Sequence, residues 1–321
     1  MMWTGLKARL LAIGGISLTG LPADEYIARS RAGPGAGGSG SVFFSMDGHR
    51  VRLGISEGSP ARLHHSGLGK VLLSIDGEEY SGVLEKPGFH CPRQAYITIT
   101  SSCIFDCRYC NVPRLPGYRK DIDEIERMVA SVLPDIDAIS LTSGILTDAG
   151  EEEQYTLEVV KRLGSFNLPI GVSIYPVPGT PERLHGAGVA EVKFNLETAT
   201  PALFEEMCPG LSRTGIIDAL SASVPLFGRD HVYSNIILGL GETDGEMLEC
   251  IEELCIRGII PVIRPLTPGG TLTGFQRPDA GRLLPIHAGL MDALERNGLN
   301  MANALTMCPA CTGCDLIPGR D

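Results

Sequence analysis

The sequence has no apolar run long enough to cross a membrane. Its longest apolar stretch near the start, residues 10–21, is interrupted by three glycines, whereas a transmembrane helix needs roughly 20 apolar residues in succession. Lys7 and Arg9 precede this stretch as in a signal peptide, but no small-x-small cleavage site follows. We therefore expect an amphipathic N-terminal helix in a cytoplasmic protein that has no membrane partner.

Positive charge is also scarce. Lysine and arginine total 27 against 38 for aspartate and glutamate, which gives a formal net charge of -11. The backbone of a nucleic acid and the surface of an anionic membrane both attract positive charge. The composition therefore argues against either of them as the main partner.

Cysteine, by contrast, is abundant. The chain has ten cysteines, and two tight triplets contain six of them. Disulfide frameworks are typical of short secreted chains, and a chain of 321 residues buries a large core without them. Clustered cysteines in such a chain indicate metal ligands first.

The first part of the chain predicts a helix, a linker and two hairpins. Residues 31–41 are rich in glycine and predict a flexible linker, so that residues 1–41 form one segment. Two pairs of apolar runs follow, and the Asp-Gly dipeptides Asp47-Gly48 and Asp76-Gly77 join them. Asp-Gly between such runs is a strong hairpin signal. We therefore predict a small β subdomain over residues 42–90.

From residue 94 onward, short β-rich runs alternate with helical stretches. The predicted strands cover residues 95–99, 138–141, 170–174, 191–195, 232–238 and 259–263, and the predicted helices cover 122–132, 153–163, 201–206, 213–220, 245–257 and 286–297. Such an alternation implies parallel strands joined by right-handed crossovers. The sequence thus predicts an α/β fold, a partial (β/α)6 TIM-like barrel over residues 91–300. A cysteine-rich C-terminal tail over residues 301–321 follows it.

The first triplet, Cys103-x3-Cys107-x2-Cys110, lies in the loop after the first predicted barrel strand. Three thiolates at this spacing can each hold one corner of a cubane iron–sulfur cluster and leave the fourth iron without a protein ligand. Barrel enzymes build their active sites at the C-terminal ends of the strands, where this loop stands. The alternative is a zinc knuckle, for which His90 or Cys91 would supply a fourth ligand.

With Tyr109 directly before its third cysteine, this motif resembles that of the radical S-adenosylmethionine (SAM) enzymes. The resemblance implies a [4Fe–4S] cluster on Cys103, Cys107 and Cys110, with SAM bound to the open iron near Tyr109. It also implies one-electron cleavage of SAM to methionine and a 5′-deoxyadenosyl radical. An electron donor such as ferredoxin or flavodoxin would supply the electron, and the predicted barrel is then a radical SAM barrel.

Two further segments are similar to elements of biotin and lipoyl synthases, a subgroup of that family. Asn195-Leu196-Glu197-Thr198 resembles an Asn-x-(Asp/Glu)-Thr element whose polar residues lie near the SAM ribose and the substrate, although Phe194 replaces the usual preceding histidine. Gly239-Leu240-Gly241-Glu242-Thr243 resembles a turn that passes close to the adenine. The alternative for the first segment is a strand-end cap.

The same resemblance singles out two more residues. Arg213 resembles the arginine that pairs with the SAM carboxylate, and a planar guanidinium suits bidentate pairing; a solvated surface arginine is the alternative. Gly144 stands where the backbone of most radical SAM enzymes meets the SAM amino group. The resemblance covers about residues 94–265 and does not explain residues 1–90.

The second triplet, Cys308-x2-Cys311-x2-Cys314, lies in the tail. Pro309 and Gly313 favour a tight turn that points the three thiols inward. A second, auxiliary [4Fe–4S] cluster is the first interpretation, and zinc is the alternative.

The fourth ligand of the tail triplet stays open at this point. Cys91 is the best candidate, but it lies before the first predicted strand and therefore at the bottom of the barrel. Cys208 follows the fourth strand, whereas Cys250 and Cys255 fall on a predicted helix and indicate core positions.

None of the predicted strands contains a cysteine, which disfavours a biotin synthase, whose auxiliary cluster is held by cysteines on barrel strands. Lipoyl synthases instead hold a sacrificial cluster on a triplet outside the barrel. The favoured hypothesis is therefore a sulfur-inserting radical SAM enzyme, similar to the two-component archaeal-type lipoyl synthase. It would act with a second radical SAM subunit on an octanoylated lipoyl carrier protein, although Lys193 and Arg264 could also hold a carboxylate.

Two other hypotheses stay open. A radical SAM enzyme without sulfur insertion, related to methylornithine synthase or the hydrogenase maturases, would rearrange a carbon skeleton or build a cofactor. In that case the tail cluster would relay electrons or bind the substrate. A non-catalytic zinc-binding module, the third hypothesis, would contain no iron and cleave no SAM.

Overall fold

The computed structural model describes residues 3–29, 40–269 and 271–321. Most of the predicted glycine-rich linker, residues 31–39, lies outside the described residues. Two β structures make up the described part, a small closed barrel near the N-terminus and a larger parallel sheet. Across the described residues, no helix is both long and apolar enough to span a membrane.

The small barrel contains six strands, which close in the order β1-β3-β2-β6-β5-β4. They are β1 (Gly15–Gly20), β2 (Ser41–Met46), β3 (His49–Ile55), β4 (Arg62–Gly67), β5 (Lys70–Ile75) and β6 (Glu78–Glu85). The two predicted hairpins are confirmed as β2–β3 and β5–β6. Asp47 and Asp76 adopt φ values of 53° and 50° ahead of their glycines, the backbone that a tight hairpin turn requires.

The predicted division after residue 41 does not match this barrel. Strand β1 belongs to the barrel, because it pairs in parallel with both β3 and β4. Helix α1 (Trp3–Ile13) is also not amphipathic: it buries Trp3, Lys7 and Leu10 on several sides. The sequence hid β4 because its Arg-Leu-His-His-Ser-Gly run is mostly polar.

The larger sheet confirms the predicted alternation. Six parallel strands run in chain order from β8 to β13, and the two-residue strand β7 pairs antiparallel with β8. Their bounds are β7 (His90–Cys91), β8 (Gln94–Thr98), β9 (Ala138–Thr142), β10 (Ile170–Ser173), β11 (Glu191–Lys193), β12 (Val232–Leu238) and β13 (Ile260–Pro265). Buried β-branched and leucine side chains dominate these strands, as expected where helices cover the sheet.

Helices connect the strands and follow the sheet. They are α2 (Ile122–Val132), α3 (Ala149–Leu163), α4 (Thr180–Gly186), α5 (Pro201–Met207), α6 (Arg213–Phe227), α7 (Asp244–Ile256) and α8 (Ala280–Arg296). The prediction missed α4 and began α8 six residues late, at residue 286. Asp279 caps the true start of α8, and its side chain accepts a hydrogen bond from the backbone of Arg282. Pro285 lies inside this helix, and because proline normally ends or kinks a helix, its first turns were not predicted.

Short 3₁₀ turns complete the described secondary structure. They cover Asp24–Tyr26, Val112–Arg114, Leu133–Asp135, Gly164–Phe166, Arg229–His231 and Met301–Asn303. The last of these leads into α9 (Met307–Cys311), which carries two of the tail cysteines.

The tail, residues 301–321, folds under the parallel sheet instead of standing apart from it. The buried carboxylate of Glu191, at the N-terminal end of β11, accepts hydrogen bonds from the backbone of Leu305 and from both the backbone and hydroxyl of Thr306, at 2.6 to 2.8 Å. Gly171 on β10 permits this approach, because a Cβ there would lie 2.0 Å from the Thr306 hydroxyl. The tail therefore closes the N-terminal end of the sheet.

The other side of the tail rests on the N-terminal structure. The backbone N–H of Arg52 on β3 donates to the carbonyl of Gly313 at 2.7 Å. Lys7 of α1 forms a fully buried ion pair of 2.7 Å with the side chain of Asp321, and it also donates to the carbonyl of Thr312. The tail is thus held between the small barrel and the parallel sheet.

Replacing Glu191 with glutamine should loosen the tail. Tyr233 also donates to this carboxylate, at 3.1 Å. Because the –NH2 group of glutamine is a donor, it would face at least one of these donor groups without forming a hydrogen bond. We expect a loss of about 2–4 kcal/mol in the free energy of unfolding, measured by urea denaturation. Hydrogen exchange should accelerate in residues 301–321. Glu295→Gln, at an exposed position of α8, is the matched control, and equal stability of the two variants would contradict the role of Glu191.

Candidate active site

A cavity of about 520 Å³ runs from the C-terminal ends of the parallel strands to the tail. Both cysteine triplets line it, the first at the strand ends and the second at the tail. The small barrel contributes part of the wall through Ser41, Arg52 and Ile55. A volume in this range is typical of sites that enclose a small molecule.

The loop after β8 holds the first triplet in place through its backbone. The N–H of Ile104 donates to the carbonyl of Ile145 at 2.8 Å, and that of Arg108 donates to the carbonyl of Met207 at 2.9 Å. These bonds anchor the loop to the segments after β9 and α5. The loop therefore stands where the sequence predicted it, at the C-terminal ends of the strands.

The three thiols of this loop lie close enough to influence one another. Burial raises the pKa of Cys103 and raises that of Cys110 to about 12, and the neighbouring Cys107 adds to both shifts. The pKa of Cys107 is lowered, because the thiol of Cys208 donates a hydrogen bond to it. Binding of iron would have to displace the protons of the buried thiols, as metal binding by cysteine does.

Gly144 lies directly against the cysteine loop. Its N–H donates to the carbonyl of Thr100 at 2.8 Å, and a Cβ on Gly144 would lie 2.1 Å from the carbonyl oxygen of Ser102. Glycine at this position therefore allows β9 and the cysteine loop to approach each other. The buried carboxylate of Glu152, which sequence reasoning missed, accepts hydrogen bonds from Thr100 and Ser143 at 2.6 Å and braces the same junction.

Asn195, Glu197 and Tyr109 line the cavity beside the first triplet. Burial raises the pKa of Glu197 to about 7, although Arg264, Lys193 and hydrogen bonds from Asn195 and Tyr109 oppose the shift. Glu197 also adopts a positive φ of 64°, a backbone that is strained for a side chain of this kind. The three predicted residues are thus brought together with the cysteine loop.

The predicted adenine turn follows β12, but its acidic residue has structural partners. The carboxylate of Glu242 accepts hydrogen bonds from the backbone of Gly239 at 2.6 Å and Leu240 at 2.9 Å, and it pairs with Arg282. Gly239, Gly241 and Glu242 are not among the described residues that line the cavity. Glu242 therefore stabilises the conformation of the turn through hydrogen bonds to its backbone.

Arg213 is not brought to the cavity either. It begins α6 and lines a separate pocket of about 200 Å³ with Cys250 and three glutamates of α7. The buried Nε of Arg213 has no hydrogen-bond partner within the described part of the chain. The motif resemblance located the turn that carries this arginine, but it did not predict the direction of its side chain.

The tail triplet lies among buried cations. Nη2 of Arg264 lies 3.1 Å from Sγ of Cys308, and Nζ of Lys193 lies 3.5 Å from the same sulfur. Burial lowers the pKa of Lys193, but Cys308 and Tyr96 together outweigh it and raise the pKa of the lysine to about 12. Arg264 also pairs with Asp315 at 2.9 Å. This part of the cavity is therefore strongly electropositive.

Asn235 is a cavity residue that sequence reasoning missed. It is 5% exposed, and its Oδ1 has no hydrogen-bond partner among the described residues. A buried polar atom of this kind is costly unless a ligand or a water molecule satisfies it. Its inward position between Tyr233 and Ile237 on β12 was the available signal, because alternate residues of a strand share a face.

The spread of the thiols in both triplets is compatible with iron–sulfur chemistry. In the described part of the chain, no three His, Cys, Asp or Glu side chains converge as ligands of one ion. Tetrahedral zinc would draw its thiolates to roughly 3.8 Å from one another. A cubane cluster spaces its thiolates more widely, with one at each corner.

Comparisons with known proteins agree with this chemistry. Residues 97–254 match the model of the Radical SAM superfamily. The chain is 28% identical over 191 residues to a lipoyl synthase of Kocuria rhizophila, covering 55% of this chain and 54% of that protein. It is 28% identical over 222 residues to a lipoyl synthase of Kineococcus radiotolerans, covering 60% and 65%. The match thus spans between half and two thirds of the length of these relatives.

A solved structure shares the fold. Methylornithine synthase superposes with a TM-score of 0.53 at 18% identity, covering 64% of this chain and 69% of that one. The chain belongs to the radical SAM superfamily, and membership implies a [4Fe–4S] cluster and SAM. Within the superfamily, its sequence is similar to those of the two lipoyl synthases.

Replacing Gly144 with alanine should disturb the first triplet. The added Cβ would push against the carbonyl of Ser102, next to Cys103, at a cost of about 1–3 kcal/mol. We expect the formation of 5′-deoxyadenosine from SAM to fall by roughly tenfold or more, with less iron bound per chain. Gly164→Ala, where a Cβ would meet no atom within 4 Å, is the control. An unchanged rate in Gly144→Ala would contradict the close packing of the loop.

Proposed function

We propose that this enzyme inserts sulfur at an unactivated C–H bond of its substrate. The observation that carries the proposal is the single cavity that both cysteine triplets line. A substrate inside it would have the first triplet at one end and the tail triplet at the other. The similarity in sequence to two lipoyl synthases supports the same reaction class.

In this proposal, the first triplet holds the [4Fe–4S] cluster. Tyr109, Asn195, Glu197 and the backbone at Gly144 face SAM in the adjoining part of the cavity. When bound, the cluster and SAM supply a 5′-deoxyadenosyl radical that removes one hydrogen atom from the substrate. The residues of this chain orient both molecules, and the carboxylate of Glu197 can accept hydrogen bonds from the ribose hydroxyls.

The tail triplet holds a second iron–sulfur cluster as the source of sulfide. The substrate carbon loses a hydrogen atom, with its electron, to the deoxyadenosyl carbon, and it then gains a bond to a sulfide. That new bond would take one electron from the carbon and one from the sulfide, and the iron of the cluster would accept the electron that the sulfide gives up. The reductant supplies the separate electron that cleaves SAM. Lys193 and Arg264 stabilise the negative charge on this sulfur side.

The substrate in this proposal is an octanoyl chain on a lipoyl carrier protein. A second radical SAM subunit would take part, and ferredoxin or flavodoxin would supply electrons in the cytoplasm. The ten free cysteines agree with a reducing compartment. The matches to lipoyl synthases suggest the carrier substrate.

The test is anaerobic incubation of the reconstituted enzyme with SAM, dithionite and an octanoylated carrier peptide, followed by mass spectrometry. Wild type should form 5′-deoxyadenosine and a peptide in which a sulfhydryl replaces hydrogen. Cys308→Ala should still form 5′-deoxyadenosine but reduce sulfur transfer at least tenfold, because only the tail cluster is damaged. Cys110→Ala should abolish both products.

Cys255→Ala is the control for these substitutions, because Cys255 is also a free cysteine but lies buried in α7, away from the cavity. It should retain both products. If wild type forms 5′-deoxyadenosine and the peptide never gains sulfur, with or without the second subunit, sulfur insertion is refuted.

A second candidate function is favoured by the polar wall of the cavity. Lys193, Asn235 and Arg264 would suit a substrate with a carboxylate better than an alkyl chain. The enzyme would then rearrange a carbon skeleton or build a cofactor, and the solved fold of methylornithine synthase is compatible with this activity. Iron and sulfide contents before and after turnover separate the two candidates, because only sulfur insertion consumes the tail cluster.

A further inference from the structure

The tail triplet has a buried neighbour that stands more than two hundred residues earlier in the chain. Cys91 is fully buried on β7 and packs with Cys311 and Phe43 in a small cluster of its own. Strand β7 lies at the edge of the parallel sheet that faces the small barrel. The tail passes through the same place, since Gly313 packs against Phe43.

Cys91 is close to all three tail thiols. It shares a hydrogen bond with Cys311, and Cys308 and Cys314 are near enough to act on it electrostatically. All four cysteines line the same cavity. The position of Cys91 at the N-terminal end of the sheet is therefore no obstacle, because the tail folds back to that end.

The other cysteines outside the triplets lie elsewhere. Cys208 is a neighbour of the first triplet, with its Sγ 3.9 Å from the hydroxyl of Tyr109 and a hydrogen bond to Cys107. Cys250 and Cys255 lie on α7, outside the cavity. Among the described cysteines, Cys91 alone joins the tail group.

We propose that Cys91 is the fourth ligand of the iron–sulfur cluster on the tail, which is therefore held by cysteine alone. The inference rests on the proposed function only for the presence of that cluster. In the chain without iron, the thiols of Cys91 and Cys311 share a hydrogen bond. Cluster binding would displace the protons of both thiols, and each thiolate would then bind its own corner of the cluster.

His90 is the rival ligand, and its surroundings disfavour it. Its Nε2 lies 3.4 Å from Nη1 of Arg52, and its ring packs on Tyr96. The charged groups that act on it are Arg52, Arg264 and Lys193, so the imidazole faces cations and not the tail thiols. His90 contributes to the wall of the cavity instead.

The charges around the four cysteines fit such a cluster. Arg52, Lys193, Arg264 and Arg277 each act on a thiol of this group, and Asp315 pairs with Arg264. A cubane with a doubly positive core and four thiolates is a dianion. The excess of cations over Asp315 lowers the cost of burying that negative charge.

Ligation by four cysteines has a chemical consequence. Every iron of the cluster has a protein ligand, so none is open to bind SAM or substrate. The cluster can relay electrons while intact, and it can give up sulfide only when it is dismantled. The two cysteine groups thus hold clusters of opposite character, one with an open iron and one without.

The experiment removes the first cluster and then tests the second by itself. The full chain carrying Cys103→Ala, Cys107→Ala and Cys110→Ala is reconstituted anaerobically with iron and sulfide. Iron content and the electron paramagnetic resonance (EPR) spectrum of the reduced protein are recorded. This background should bind one [4Fe–4S] cluster per chain. Adding Cys91→Ala should reduce the bound iron by at least half or yield a [3Fe–4S] signal on oxidation.

Two companion variants separate ligation from folding. Cys91→Ser should keep most of the iron but shift the EPR signal, because oxygen replaces sulfur on one iron. Cys255→Ala in the same background should match the background in both measurements. Circular dichroism of each variant checks that the fold is retained.

Three outcomes would overturn the inference. The first is a Cys91→Ala protein with full iron and an unchanged EPR signal, and the second is zinc in place of iron in the background protein. The third is a Cys91–Cys311 disulfide in the iron-loaded protein, detected by thiol alkylation and mass spectrometry. None of these readouts depends on sulfur transfer, so the ligand assignment and the proposed reaction can fail separately.

Discussion

The floor of the active-site cavity depends on one buried carboxylate. Glu191 stands at the N-terminal end of β11 and accepts hydrogen bonds from Tyr233, Leu305 and Thr306, with His231 as a further partner. A buried charge is tolerated only where such donors replace water. Because two of the donors belong to the tail, the same interactions that satisfy the charge also close the barrel. The tail cysteines acquire their position inside the cavity from this arrangement.

Charged side chains are unevenly distributed within the cavity. The cations Lys193 and Arg264 lie near the tail thiols, whereas Glu197 lies nearer the first triplet. The positive and negative side chains therefore lie in neighbouring parts of the same cavity. A substrate in this cavity would meet positive charge at one end and negative charge at the other. The side chains of the cavity wall would therefore set its orientation as well as its affinity.

Much of the parallel sheet could be predicted from the sequence, because buried strands are short apolar runs and their positions depend on local composition. Strand β12 was predicted with its observed bounds, residues 232–238. The cysteine loop and Glu197 were predicted by motif and meet at the cavity. Strand β1 was missed, because its place in the small barrel depends on distant pairing partners and not on its own sequence.

The tail illustrates the same limit more sharply. Its cysteines could be recognised as ligands, but its docking depends on Glu191 and Lys7, which lie far away in the chain and carry no local signal. The position of the Arg213 side chain was missed for a comparable reason. A motif resemblance indicates where the backbone lies, but the side chain packs in a pocket that it shares with α7. Sequence therefore predicted which residues carry the chemistry better than how they are assembled.

The ion pair between Lys7 and Asp321 has a consequence for the folding of the protein during its synthesis. The two residues are separated by 314 positions, and contacts of such separation form late in folding. During synthesis, helix α1 and the parallel sheet leave the ribosome before the segment that joins them. The cavity therefore stays open at its base until the last described residues have been made. A cavity that excludes water therefore requires that residues 301–321 have been made and have docked on the sheet.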